Sequence, residues 1–219
     1  MFANNSPKTV LGDSLPEEIS TAPPGGRLPA TLALLAGGMS RRMGYPKALL
    51  PIGDTTLVEW VIGRVGPAFD EVLVTGGPDT SLPAAVRSLL VIDEFAGAGP
   101  LAGIEAALGA ARHEQIVAIA CDLPWATPAL ARRLVVFLAG HDAAVPFIEG
   151  RAQPTLAAYR RSARAALRRR LLAGQRRTIE ALADLDVRWV EGEDPAAFTN
   201  CNTPADYERL RRLVAGQRP

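Results

Sequence analysis

The chain has 219 residues, of which 48% are hydrophobic and 21% charged, and its net charge is +1 at neutral pH. These values exclude a wholly disordered or fibrous protein, and the aromatic content of 5% with near-neutral charge disfavours nucleic-acid binding. No apolar run approaches the ~20 residues of a membrane helix, no secretory signal is visible, and the two distant cysteines suit reduced thiols. We therefore expect a cytoplasmic protein without membrane contact.

The N-terminal segment differs from the rest of the chain. Residues 1–29 hold five of the 18 prolines and show no sustained period, which predicts a flexible tail. Residues 30–219 are predicted to form one domain. Within it we expect a nucleotide half at about 30–150 and a substrate half at about 151–215.

Short apolar runs alternate with helical stretches from residue 31 onward. The predicted strands are 31–36, 71–75, 88–93, 116–122, 143–147, 155–159 and 187–191. The predicted helices are 55–65, 100–112, 127–139, 161–173 and 203–215. This alternation predicts an α/β fold with a mainly parallel sheet and helices on both faces, whose ligands gather at the carboxyl ends of the strands.

The loop after the first strand, LAGGMSRRMGYPKALL at 35–50, has the composition of a phosphate site. Gly37 and Gly38 allow a sharp turn and a close approach of backbone N–H groups to a ligand. Lys47 is one of only two lysines, against 22 arginines, which suggests a need for a compact ammonium. The loop therefore predicts a triphosphate site; a plain glycine-rich turn is the alternative.

Two common phosphate motifs fit poorly. Lys47 stands three residues after Gly44 and is followed by alanine, so a Walker A loop is absent. The stretch 97–102 matches G-x-G-x-x-[GA], but Asp93-Glu94-Phe95-Ala96 stand between it and the apolar residues of the preceding predicted strand. Dinucleotide-binding glycines follow a strand directly, so an NAD-binding site at 97–102 is disfavoured.

Carboxylates end two of the predicted strands. Asp93 closes the run at 88–93, and Asp122 closes the run at 116–122. Both should lie at the same edge of the sheet as the glycine loop. A carboxylate beside a triphosphate is a suitable Mg²⁺ ligand, so we predict metal binding at Asp122 and nucleotide contact at Asp93. Capping of the following helices is the alternative for both.

The second half is basic. Residues 151–219 carry 14 basic against 8 acidic side chains, whereas residues 1–150 carry 10 against 15. Such a half suits an anionic substrate, although charge runs are often solvated faces. Gly174 predicts a helix C-terminus, which places Arg176 and Arg177 on a loop within reach of a terminal phosphate. The arginines of 160–170 are interpreted mainly as a solvated helix face.

Four motifs together carry a family resemblance: L-A-G-G-x-S-x-R-M-G-x-x-K-x-L-L-P at 35–51, G-P-L-A-G at 99–103, C-D-L-P at 121–124 and N-x-N-T-P-x-D at 200–206. Over roughly 31–215 the chain resembles the molybdenum cofactor guanylyltransferases. The resemblance implies a Rossmann-like, three-layer nucleotidyltransferase fold. It also implies transfer of GMP from GTP to molybdenum-bound molybdopterin, with Mg²⁺ as cofactor and contact with molybdopterin-handling proteins and target molybdoenzymes.

The resemblance also implies residue roles. Backbone contacts to the nucleotide fall to Leu35, Ala36, Gly37 and Gly38, phosphate binding to Lys47 assisted by Arg42, further nucleotide contact to Thr75 and Asp93, magnesium to Asp122, and catalytic positioning to Asn200 and Asn202. A segment at 171–182 is similar to a region implicated in pterin binding. The resemblance therefore implies that Arg176 and Arg177 bind the molybdopterin substrate. The alternatives are a cytidylyltransferase, a sugar-phosphate nucleotidyltransferase, or a nucleotide-binding relative without catalysis.

Overall fold

A computed structural model describes residues 26–37, 45–95 and 97–215. The strands within these residues are β1 (Leu28–Leu35), β2 (Pro51–Ile52), β3 (Thr55–Thr56), β4 (Phe69–Gly76), β5 (Leu90–Ile92), β6 (Gln115–Ala120), β7 (Ala143–Ile148), β8 (Arg151–Ala152), β9 (Leu156–Arg160) and β10 (Val187–Val190). The α-helices are α1 (Leu57–Val65), α2 (Pro100–Ala110), α3 (Pro128–Phe137), α4 (Arg164–Leu172), α5 (Thr178–Ala181) and α6 (Pro204–Ala215).

The main sheet has the order β10-β7-β9-β6-β1-β4-β5, and β8 pairs with β7 beside it. The pairs β1–β4, β1–β6, β4–β5 and β7–β10 are parallel, whereas β9 runs antiparallel to both β6 and β7. The predicted mainly parallel α/β sheet is therefore confirmed. Because β9 lies between β6 and β7, the predicted nucleotide and substrate halves share one continuous sheet.

Two hydrophobic clusters cover the two faces of the sheet. In β1, Leu32 and Leu34 pack into the cluster that contains α1 and α3, while Ala33 and Leu35 pack into the cluster that contains α2 and α4. Alternate residues of a strand point to opposite faces, so a strand buried on both sides must be apolar throughout. The apolar run at 32–35 in β1 meets that need and places the strand at the centre of three layers.

Several predicted boundaries differ from the structure by a few residues. The predicted helix 55–65 begins only at Leu57, because Thr55 and Thr56 form strand β3. Three further differences concern the strands. The first strand begins at Leu28, two residues before the predicted start of the domain, and residues 1–25 of the predicted tail lie outside the described residues. The predicted strand 88–93 is shortened to Leu90–Ile92, because residues 84–89 form a 3₁₀ helix after Pro83. The predicted strand 116–122 ends at Ala120, which leaves Asp122 on the loop that follows.

A small hairpin absent from the sequence prediction lies beside α6. Strands β2 and β3 pair antiparallel, with Gly53 between them in the left-handed region at φ 58°. Ile52 packs with Leu210 of α6 in a third hydrophobic cluster, and the Tyr207 hydroxyl donates to the Pro51 carbonyl. The hairpin thereby anchors α6, the last helix of the described chain, close to the segment that carries Lys47.

Three arginines of the basic half, at positions 161, 164 and 168, pair with acids of the acidic half. Arg161 bonds Glu114 and Arg164 bonds Glu105, both at 3.0 Å. These ion pairs join the two halves, and α4 is more than a solvated face. Within the described residues, no helix combines the length and the apolar character needed to cross a membrane.

Candidate active site

The carboxyl ends of four parallel strands meet at one edge of the sheet. Beyond the strand bounds, the Cys121 amide donates to the Leu35 carbonyl at 3.1 Å, and the Ala36 amide donates to the Thr75 carbonyl at 2.9 Å. The Asp93 amide donates to the Gly76 carbonyl at 3.0 Å. These bonds extend the strand pairing past the strand ends and bring the ends of β1, β4, β5 and β6 together. In open α/β sheets, ligands bind at this edge, where the carboxyl ends of the strands meet.

Lys47, Asp122 and Asn202 meet at this edge. The Lys47 ammonium donates to Oδ2 of Asp122 at 2.9 Å and also to Oδ1 of Asn202. The side chains of Lys47 and Asp122 are each 19% exposed, so the pair is largely shielded yet open to a ligand. Asp122 and Asn202 thus both bind the ammonium of Lys47, although they lie 75 and 155 positions away from it along the chain.

Short turns hold Lys47 and Asp122 in place. Pro46 precedes a 3₁₀ turn over Lys47–Leu49, in which the buried Ala48 anchors the turn in the core. Asp122 begins a turn in which the Leu123 amide bonds the Ala120 carbonyl at 3.0 Å. Helix α1 supports this turn through the Trp60 indole, which donates to the Pro124 carbonyl at 3.2 Å.

Asp206 holds Asn202 in place. Its Oδ2 accepts hydrogen bonds from the Asn202 amide at 3.1 Å and from the amide and hydroxyl of Thr203, both at 2.8 Å. These bonds lower the pKa of Asp206, so the carboxylate stays ionised. The Thr203 hydroxyl in turn caps the start of α6, because it accepts a hydrogen bond from the Asp206 amide at 3.2 Å. The role of Asp206 was missed, although T-x-x-D before a helix is a capping signal.

Several predicted site residues lie outside this cluster. Asn200 is exposed and makes no hydrogen bond to another residue of the described ranges. Arg176 and Arg177 are exposed on the loop after α4, where Arg177 bonds Glu180 at 2.8 Å. The predicted helix end is confirmed, because Gly174 follows α4 in the left-handed region at φ 74°. Gly38 and Arg42 fall in 38–44, outside the described residues, and their roles stay predictions.

Thr75 and Asp93 carry buried oxygen atoms that have no hydrogen-bond partner among the described residues. Thr75 is fully buried, and its Oγ1 lies close beneath α2, 2.7 Å from where a Cβ on Gly103 would stand. Neither Oγ1 of Thr75 nor Oδ1 of Asp93 has a hydrogen-bond partner within the described chain. Buried polar atoms are normally bonded, so an unpartnered carboxylate oxygen beside the strand ends suits a ligand that completes its bonding.

We expect Asp93→Asn to raise the melting temperature of the ligand-free protein by about 2 °C at pH 7. Burial raises the pKa of Asp93, against a hydrogen bond from the Phe95 backbone that lowers it. The ionised carboxylate therefore costs stability at any pH above the unfolded-state pKa of about 4, and an amide removes that cost. Differential scanning fluorimetry from pH 7 down to about 4 should show the advantage shrinking. A lower melting temperature for the variant at pH 7 would contradict this.

The two thiols near the cluster are not nucleophiles. Burial, reinforced by the neighbouring Asp122 charge, raises the pKa of Cys121 to about 12, and burial raises the pKa of Cys201 to about 11. Only the thiolate is a strong nucleophile, so both cysteines stay protonated and inert at neutral pH. Both cysteines are free and buried.

The donor set at Asp122 fits a magnesium ion that arrives with a nucleotide. Oδ2 of Asp122 is bonded to Lys47, whereas Oδ1 makes no hydrogen bond to another described residue. The described ranges contain no group of three or more His, Cys, Asp or Glu residues that could hold a metal alone. Mg²⁺ is commonly held by one or two carboxylates together with substrate phosphates and water, which is the arrangement these residues permit.

Comparisons with known proteins agree with this geometry. The model of the MobA-like NTP transferase domain matches residues 32–187. Proteins named "Probable molybdenum cofactor guanylyltransferase" are 36% identical in Pelotomaculum thermopropionicum (87% of this chain, 96% of the relative) and 33% identical in Carboxydothermus hydrogenoformans (84% and 96%). The crystal structure of molybdopterin-guanine dinucleotide biosynthesis protein A from Archaeoglobus fulgidus superposes with a TM-score of 0.72 at 28% identity, covering 85% of this chain and 100% of that one. The chain therefore belongs to the MobA-like NTP transferase family and, within it, to the molybdenum cofactor guanylyltransferases, which are nucleotidyltransferases of molybdenum cofactor synthesis.

Proposed function

We propose that this enzyme transfers GMP from GTP to molybdenum-bound molybdopterin, forming the guanine dinucleotide form of the cofactor and releasing pyrophosphate. The observation that carries the proposal is the Lys47 ammonium held by Asp122 and Asn202 at the carboxyl edge of the sheet. A compact cation beside exposed backbone at Gly37 suits the phosphates of a nucleotide. The names of the relatives supply the guanylyl and molybdopterin parts of the proposal.

The reaction needs no protein nucleophile. A terminal phosphate oxygen of molybdopterin attacks the α-phosphorus of GTP, a new P–O bond forms, and the bond to the bridging oxygen of the β-phosphate breaks. Two anions must be brought into line, so binding and charge screening supply most of the catalysis. Lys47 would screen the triphosphate, while backbone groups of Leu35, Ala36 and Gly37 would hold the nucleotide.

Asp122 is the proposed magnesium ligand. Its Oδ1 makes no hydrogen bond to another described residue. The side-chain oxygen of Asn202 accepts from the same Lys47 ammonium that binds Asp122. Bound Mg²⁺ would withdraw charge from the phosphates and ease the departure of pyrophosphate. Asp93 is proposed to contact the nucleotide, because a ribose hydroxyl could donate to its buried Oδ1, which has no partner among the described residues.

A thermal-shift panel tests the choice of nucleotide. With Mg²⁺ and each of GTP, CTP, ATP and UTP in turn, we expect GTP alone to raise the melting temperature, by about 5 °C at a hundredfold excess over its dissociation constant. A ligand that binds only the native state must raise its apparent stability. Omission of Mg²⁺ is the matched control and should reduce the GTP shift.

Other outcomes of the panel identify the alternatives. A shift with CTP alone would assign the protein to cytidylyl transfer. A GTP shift without pyrophosphate release upon addition of molybdenum-bound molybdopterin would indicate a nucleotide-binding relative that lacks catalysis. Either result would overturn the proposed guanylyl transfer.

A further inference from the structure

A buried carboxylate joins α2 to α4. Glu105 of α2 is 1% exposed and is the only charged residue classed as buried among the described residues. Its Oε1 accepts from Nε of Arg164 at 3.0 Å and from Nη1 of Arg168 at 3.1 Å, both on α4. A buried charge is tolerated only when it is paired and hydrogen-bonded, so the two arginines are fixed by Glu105.

Only one of these two arginines, Arg168, also contacts the segment that follows β5. Nη2 of Arg168 donates to Oε2 of Glu94 at 2.7 Å, and its guanidinium carbon lies 5.5 Å from the centre of the Phe95 ring. A guanidinium can bind two carboxylates and lie over an aromatic ring at once because it is planar and has five donors. Arg164 instead packs its guanidinium against Gly109 of α2.

The residues held by Arg168 are the two that follow Asp93. The Asp93 amide is bonded to the Gly76 carbonyl at 3.0 Å, and the Phe95 carbonyl accepts from the Ala98 amide at 3.0 Å. The chain beyond them reaches Gly97 and Gly99, both in the left-handed region, at φ 69° and 71°. Because glycine restricts its backbone little, fixed positions for residues 93–95 depend on side-chain contacts such as those of Arg168.

We propose that Arg168 is a positioning residue of the nucleotide site. It joins Glu94 and Phe95 to the Glu105 anchor on α2, and so presents the Asp93 carboxylate in the orientation that the nucleotide meets. This role rests on the proposed function of Asp93. Without Arg168, binding of the nucleotide must also order residues 93–95, so affinity falls while the chemical step is retained.

Three substitutions test the role of Arg168. We expect Arg168→Met to raise the dissociation constant of Mg-GTP about five- to tenfold by calorimetry, with kcat and the KM for molybdopterin changed less than about twofold. Arg164→Met is the matched control, because it also removes one partner of Glu105 but none of Glu94; we expect less than about a twofold change in GTP affinity. Glu94 is exposed, so Glu94→Gln should fold normally and weaken GTP binding about threefold.

The double variant separates positioning from general loss of stability. Glu94→Gln should have no further effect on GTP affinity in the Arg168→Met protein, but its full effect in the Arg164→Met protein. Equal losses of GTP affinity in the two arginine variants, or additive losses with Glu94→Gln and Arg168→Met, would overturn the proposal. So would a lower melting temperature of Arg168→Met with unchanged GTP affinity.

Asp93→Asn separates a failure of the proposed nucleotide contact of Asp93 from a failure of the proposed role of Arg168. If it leaves GTP affinity unchanged, the proposed nucleotide contact of Asp93 fails, and the role of Arg168 fails with it. If Asp93→Asn weakens GTP binding and both Arg168→Met and Glu94→Gln do not, only the role of Arg168 is overturned. Should Arg168→Met prove unstable, the exposed Glu94→Gln decides alone.

Discussion

Asp122→Asn is expected to lower kcat/KM for GTP about 1000-fold while the protein stays folded. The substitution keeps the size of the side chain but removes the negative charge that binds the Lys47 ammonium at 2.9 Å. It also removes the proposed anchor of Mg²⁺. Folding should survive, because the bond that ties the neighbouring loops runs from the Cys201 amide to the Asp122 backbone carbonyl at 2.8 Å, independent of the side chain. Pyrophosphate release and a melting curve measure the two effects.

Asp184→Asn is the matched control. Asp184 also pairs with a cation, accepting from Nε and Nη2 of Arg170 at 2.7 and 2.8 Å, and its side chain is 28% exposed. It lies just before β10 begins at Val187, at the edge of the sheet opposite the candidate site. We expect turnover within about twofold of the unchanged protein. Undiminished turnover in Asp122→Asn would rule out the proposed metal ligand, whatever the control shows.

The edge of the sheet that holds the site was predictable from sequence. β1 is buried on both faces, so its apolar run was visible without a periodic pattern, and the glycines after it marked the turn. Asp93 and Asp122 each follow a strand, and parallel strands end at one edge. The strand limits were less predictable: residues 84–89 became a 3₁₀ helix although part of this stretch has the composition of a strand.

Side-chain partners across the site could not be derived from spacing. The family resemblance implies the same positioning role for Asn200 and Asn202, yet Asn202 bonds Lys47 and Asn200 is exposed. The difference arises because Cys201 is buried between them and Asp206 fixes the Asn202 backbone. Such contacts depend on how α6 packs on the β2–β3 hairpin, and no local pattern specifies that packing.

The arginines of α4 show a similar limit. From sequence they were interpreted mainly as a solvated helix face. In the structure Arg168 binds Glu94 and Glu105, residues 74 and 63 positions away along the chain. Only the tertiary fold brings these charges together, so charge counts by half of the chain indicated the asymmetry without revealing its use.

Lys47→Arg is expected to lower turnover at least about 100-fold, despite conserving the charge. The ammonium is a point donor that reaches Asp122 and Asn202 at once from a largely shielded position. A guanidinium is planar and larger, so it cannot place its charge at that point without moving the turn over Lys47–Leu49. Steady-state kinetics and the GTP thermal shift should both detect the loss. Turnover within about threefold of the unchanged protein would show that any cation suffices there.

The scarcity of lysine makes the contact of Lys47 with the nucleotide directly measurable. Because Lys8 and Lys47 are the only lysines, Lys8→Arg leaves Lys47 as the sole side-chain amine for an acylating reagent. We expect Mg-GTP to slow the acylation of Lys47 about tenfold, since an amine bound to phosphate is not free to react, and CTP to protect far less. Peptide mass spectrometry measures the modification, and the N-terminal amine is the internal reference because its reactivity should not depend on nucleotide. Equal acylation of Lys47 with and without Mg-GTP would separate the lysine from phosphate binding and leave it a structural partner of Asp122 alone.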